Sequence, residues 1–234
     1  QFQELFSAVF VRYLQSKLGA IPLAPGAFTL IRRSFIKKHG LLSHQTMVED
    51  LEMSLRIQSE GYLIENIIDA NVYTSGVKTI QAFINQRLRW FCGFMIQTKK
   101  YKHLFSRSYG NLGVFVLPIS VFFIILTLVL FAMGLFMFIS HAIDFIQDLL
   151  LIGLTLPRWE DFLIDPFFWN IGNRTVIPLL LILIAYVFTV YIKYRSNEKQ
   201  NVTTPFVIFI LTYWFIGAIC WILAIYYFFR KIYF

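Results

Sequence analysis

The chain has 234 residues, 58% hydrophobic and 18% aromatic, with mean hydropathy +0.65 and formal net charge +8. So apolar a composition excludes an ordinary soluble globular domain. The positive charge does not point to nucleic acid, because the basic residues cluster beside apolar segments, where they match an anionic membrane surface or phosphate groups.

The chain begins Gln1-Phe2, with neither a methionine nor a signal peptide, and reads as a piece of a longer protein. Cys92 and Cys220 stand alone in separate regions, so no disulfide framework is expected. Apolar residues at Leu5, Val9, Tyr13 and Leu14 predict a helix over 1–17, which Gly19 ends. Residues 21–35 read as extended chain around a turn at Pro22, Pro25 and Gly26, with 27–31 a short strand. The small Gly26 and Ala27 would let a ligand approach the backbone, or simply make a tight turn.

A helix is predicted over 46–61. Thr46 and Glu49 match a capping box, Val48, Leu51 and Leu55 form the apolar stripe, and Gly61 closes the end. Glu52 and Arg56 are spaced as an ion pair. Capping accounts for Glu49 but not for Asp50. A carboxylate in a first turn is held ionised by the helix dipole, and at the mouth of a cleft it could accept a proton from a hydroxyl. Compensation of the dipole alone is the competing reading. Residues 62–75 read as strand, turn and strand, and 79–101 as a second long helix.

That helix carries Gln86, Arg89, Trp90 and Gly93 at helical spacing, so they share one stripe, with Arg87 beside them. A guanidinium grips a phosphate through paired hydrogen bonds, and an indole stacks on a sugar face. The stripe suits a phosphorylated sugar. It equally suits a basic amphipathic helix lying on a membrane, with Trp90 as an interfacial anchor.

Residues 114–140, 175–192 and 205–229 carry no charged residue and predict about three membrane spans. The acidic and aromatic segment 141–174 would lie at an interface. The positive-inside rule puts residues 1–108 and the 193–204 loop in the cytoplasm, with 141–174 outside. Arg230 and Lys231 then also fall outside, against that rule. His39, His44, His103 and His141 are not at ligand spacing, and there is no phosphate-binding loop or nucleophile elbow.

Taken in order, Pro25-Gly26-Ala27-Phe28 with Arg32-Arg33, Val48-Glu49-Asp50-Leu51 with Ser54-Leu55-Arg56, Gly61-Tyr62, and Gln86-Arg87-Leu88-Arg89-Trp90 resemble the C-terminal part of the membrane-integrated family 2 glycosyltransferases. Cellulose, chitin and hyaluronan synthases belong to that group. The resemblance covers about residues 1–110, and the apolar segments suit the same architecture. Val48 stands where cellulose synthases often have threonine, which leaves the polymer open.

The resemblance implies an α/β fold: the C-terminal, acceptor half of a GT-A domain over 1–110, then a membrane region over 111–234. It implies a hexosyltransferase in a cell membrane, multi-pass, with its catalytic part cytoplasmic. The donor would be a UDP- or GDP-sugar, the acceptor a glycan or lipid, and the reaction inverting. Asp50 would be the base with Glu49 beside it, Arg89 would meet the donor diphosphate, and Trp90 would stack near the acceptor. Gln86, Arg87, Gly26 and Ala27 would shape the same pocket. A divalent metal, Mg2+ or Mn2+, is expected for the full enzyme, with its ligands outside this chain, so that the chain alone is inactive. A non-catalytic membrane protein or degenerate partner subunit is the alternative, weakened by predicted spans that lack intramembrane ionisable residues.

Overall fold

The computed structural model describes residues 11–40, 46, 48–67, 72, 76–77, 79–153, 173–195 and 201–231. Its helices are α1 (Arg12–Lys17), α2 (Arg33–His39), α3 (Glu49–Ser59), α4 (Ile80–Lys100), α5 (Leu117–Ile152), α6 (Asn173–Arg195) and α7 (Thr203–Arg230). Two 3-10 turns, Lys102–Leu104 and Arg107–Tyr109, and a π turn, Leu112–Val116, join α4 to α5.

There is no strand among the described residues, which overturns the expected α/β, GT-A half-domain. A strand needs a neighbour to take its backbone hydrogen bonds, and strand propensity yields to context. Residues 27–31 have no such neighbour among the described residues. Thr29 Oγ1 instead donates to the Pro25 carbonyl at 2.6 Å, Leu30 is 84% exposed, and α2 starts at Arg33. Residues 62–67 are irregular, with Leu63 and Ile67 exposed. The start of the predicted N-terminal helix, most of 68–75, the aromatic part of 141–174, and residues 196–200 lie outside the described residues.

The α3 helix also starts differently from its sequence signal. Val48 takes the N-cap position with no side-chain cap, so Thr46 and Glu49 do not form a capping box. The reason is packing. Val48, Leu51 and Leu55 join Ala20, Tyr101, Leu104, Leu112, Val116 and Leu117 in one apolar core, which ties α3 to the head of α5. Gly113 is needed there, since a Cβ would overlap the backbone carbonyls of Leu104 and Ser106. Truncating a core side chain such as Leu51 to alanine costs about 2–5 kcal/mol.

The apolar half is simpler. The stretch Leu112–Leu151 is long and apolar enough to cross a membrane, and it contains the predicted 114–140 span. It runs on through Asp144 and Asp148, so 141–152 continues the same helix. The predicted 175–192 span corresponds to a shorter apolar helix, Val176–Tyr191. The predicted 205–229 span is bent by 48° between Thr203–Tyr213 and Phe215–Arg230.

Helix α4 does not lie free on a surface. It runs parallel to α7, pairing Phe91 with Trp221 in a stack at 4.0 Å, Cys92 with Ala224, and Lys99 with Phe228. Small buried residues on α7, Gly217, Ala218, Cys220 and Ala224, permit this close approach. Parallel packing brings Arg230 and Lys231 to the end of α4 that carries Lys99 and Lys100. The expectation that these two residues lie on the opposite side from that basic cluster is therefore corrected.

Candidate active site

Three segments far apart in sequence meet at one open cavity of about 480 Å³, lined by Gly26, Thr46, Val48, Glu49, Asp50, Arg89 and Trp90. Each is held there by a specific contact. Ser54, one turn after Asp50, accepts a hydrogen bond from Ala24 N at 2.9 Å and donates to the Asp50 carbonyl at 2.7 Å. That fastens the Pro25-Gly26 turn over the start of α3. A Cβ built on Gly26 would stand 3.5 Å from Asp50 Oδ2, so the glycine backbone faces the carboxylate directly.

Helix α4 is locked to the same place by Gly93. A Cβ there would overlap the Val48 side chain, so only glycine lets Val48 seat against α4. The space beside Gly93 on the stripe is thus filled by Val48. Val48 immediately precedes Glu49-Asp50, and Gly93 lies one turn after Arg89-Trp90. This interlock sets the spacing between the acid and the cation.

The first turn of α3 and the C-terminal end of α4 are tied by charge. Glu52 is 2% exposed. Its Oε1 accepts from Tyr101 Oη at 2.8 Å and from Lys100 Nζ at 3.3 Å, while Arg56 Nε stands 3.9 Å from Oε2. Burial, with the Glu52 carboxylate at its hydroxyl, pushes the Tyr101 pKa well above the ordinary value of 10.0, so the phenol stays protonated and donates.

The sequence-derived residues divide. Gly26, Glu49, Asp50, Arg89 and Trp90 come together on the cavity; Ala27, Gln86 and Arg87 do not line it. Ala27 is exposed on the turn, Gln86 is half-buried on α4, and Arg87 is buried behind Trp90 without reaching the cavity. Glu49, freed from capping, is an exposed carboxylate on the rim. The sequence reading had Val48, Ser54 and Gly93 in its motifs but not the contacts they make, and it gave Tyr101 no part in the site. Nothing local marks these residues' roles, because each acts by contact with a distant segment.

Chemically, the cavity offers the Asp50 carboxylate in the first turn of α3. Leu51 N donates to Asp50 Oδ1 at 2.9 Å. Opposite stand an exposed guanidinium and a half-buried indole. Glu49 and Asp50 are the carboxylates on the cavity, and no group of three His, Cys, Asp or Glu side chains gathers among the described residues. These residues do not fit a metal cage.

The geometry defines a helical scaffold with a membrane-length apolar helix and, at its head, a cavity pairing carboxylates with a cation and an aromatic plate. The chain belongs to the glycosyl transferase family group 2, whose sequence profile matches residues 5–232 and so covers cavity and apolar helices alike. It is similar to an uncharacterized glycosyltransferase of Escherichia coli (strain K12), YaiP, with 28% identity over 108 residues, 46% of this chain and 27% of that protein. It is also similar to a probable glycosyltransferase of Bacillus subtilis (strain 168), YdaM, with 25% identity over 201 residues, 77% of this chain and 47% of that protein. The chain thus spans less than half the length of either relative. No solved structure matches it.

Proposed function

We propose that the cavity is where a sugar passes from a nucleotide-sugar donor, UDP- or GDP-linked, to a hydroxyl of a glycan or lipid acceptor, with inversion. Family membership supports a glycosyltransferase with such a donor and an acceptor. The observation that carries the finer reading is the convergence of Asp50, Arg89 and Trp90 on one cavity from separate helices.

In this reading Asp50 takes the proton of the acceptor hydroxyl as its oxygen attacks the anomeric carbon. The new C–O bond forms as the bond to the diphosphate breaks. The electron pair leaves with the nucleoside diphosphate, toward Arg89, whose two-pronged guanidinium stabilises the added charge. Trp90 offers a flat apolar face to the acceptor ring. A divalent cation, Mg2+ or Mn2+, in the whole enzyme would draw its ligands from elsewhere.

The same proposal sets the chain in a cell membrane through α5, with the bent α7 as a second, partial crossing. Lys99, Lys100, Lys102, Arg107, Arg230 and Lys231 cluster toward the end where α5 begins, which favours an anionic cytoplasmic surface. The cavity then faces the cytoplasm, where nucleotide sugars are at hand.

The test is Asp50→Asn in the full-length enzyme. Turnover of a nucleotide sugar should fall by about 10²–10⁴-fold while nucleotide binding persists, because shape is kept and basicity is lost. Near-normal turnover would sink the assignment.

A further inference from the structure

Arg87 belongs to the same motif as Arg89, yet the two cations have opposite surroundings. Arg89 is exposed on the cavity, whereas Arg87 is only 6% exposed. Its Nε has no hydrogen-bond partner among the described residues. A guanidinium buried without an anion is costly, so something must offset it. What surrounds it is aromatic. The guanidinium carbon lies 4.4 Å from the Trp90 ring centroid, 4.8 Å from Phe83 and 5.7 Å from Tyr213. All are within cation–π range, and a weakly hydrated planar cation is the one best suited to such a cage.

Two of those rings are its own helix neighbours. Phe83 lies one turn before it and Trp90 one turn after, so the three share a stripe. The third, Tyr213, comes from α7 at the point where that helix bends by 48°. The Arg87 side chain therefore spans from the bend of an apolar helix to the wall of the cavity.

We propose that Arg87 is a positioning residue: its guanidinium plane, braced by Phe83 and Tyr213, backs the indole of Trp90 and fixes the face that Trp90 turns to the cavity. This rests on the proposed role of the cavity in sugar transfer, where it makes Arg87 a determinant of acceptor fit without contact to any substrate. It also makes Tyr213, on the apolar side of the molecule, part of the same device.

The test reads Trp90 directly and needs no substrate. In the full chain in detergent, Trp159, Trp169, Trp214 and Trp221 are replaced by phenylalanine, leaving Trp90 as the reporter. A parallel chain keeps Trp221 alone, which stacks on Phe91 and is not one of the rings around Arg87. Acrylamide quenching of Trp90 should rise by about twofold in Arg87→Gln as one face of the ring is uncovered. It should rise less in Tyr213→Leu and stay unchanged in Tyr213→Phe, which keeps an aromatic face. Quenching of Trp221 should stay constant throughout. Unchanged Trp90 quenching in Arg87→Gln overturns the proposal. So does an equal rise in both reporters, which would mean general loosening. Where Arg87→Gln does not fold, Tyr213→Leu decides by the same two criteria. Sugar-transfer activity is measured separately with Asp50→Asn, so a failure of the reaction reading leaves the quenching result for Arg87 intact.

Discussion

The head of the molecule and its apolar helices are held by different means. Around the cavity, position is set by single contacts that tolerate little change: Gly93 against Val48, Ser54 bridging to Ala24, Glu52 held by Tyr101 and Lys100. Along α5 and α6, large side chains such as Phe136, Leu151 and Leu180 stand exposed on the chain itself. In the membrane setting proposed above, a surrounding apolar medium would decide the placement there, and no single side chain would. The difference teaches where a mutation should hurt. Effects should be large and local in the head, and small and diffuse in the helices.

The interlock breaks this comparison most sharply. Gly93→Val should cost on the order of 3 kcal/mol or more, because a packed backbone cannot retreat from the Val48 side chain. Val48→Ala in the same chain should recover part of the loss. Thermal unfolding in detergent measures both, and equal stability of Gly93→Val and the parent would show that the two helices are not in this contact.

The buried charge comes next. Removing Glu52 as Glu52→Ala takes away the carboxylate that accepts from Tyr101 and Lys100 and should cost about 2–4 kcal/mol, while Glu52→Gln, which still accepts from Tyr101, should cost less. The same cluster gives a pH signature. The folded pKa of Tyr101 lies above its unfolded value of 10.0, so the native state holds the phenolic proton more tightly. Its contribution is complete below pH 10.0 and is lost as pH rises through the folded value. Tyr101→Phe should flatten that alkaline fall, and an alkaline limb of unchanged slope in the variant would contradict it.

How much of this was legible in the sequence follows the same division. The acid at a helix start, the cation and indole on one stripe, and the presence of the first apolar helix could all be read from spacing, but not the continuation of that helix through Asp144 and Asp148. Periodicity reports the face a residue occupies, and these residues act from a face. Spacing could not show that Val48, and not Thr46, would take the N-cap, because that is fixed by a core assembled from Ala20 to Leu117. Nor could it show that Gly93 is filled by a neighbour. The short helix α2 was missed although Lys37, Lys38 and His39 in its last turn and Gly40 after it, at φ 78°, are ordinary C-terminal signals. The stretch 27–31 was misread as a strand because β-propensity counts residues and not partners.

The smallest expected effects lie on those misread residues. Leu30→Thr, at a side chain that touches little, should shift stability by no more than about 0.5 kcal/mol. Leu151→Ala at the exposed end of α5 should do the same. A loss of several degrees in the melting temperature from Leu30→Thr would mean that this segment is packed after all.

The central claim is that Asp50 and Arg89 act as two sides of one site. A double-mutant cycle tests it most directly. Asp50→Asn, Arg89→Lys and the pair are measured in the full-length enzyme by single-turnover transfer from a nucleotide sugar. Residues acting on one transition state are non-additive, so the pair should lose little more than the worse single variant. Losses that simply multiply would contradict a shared site.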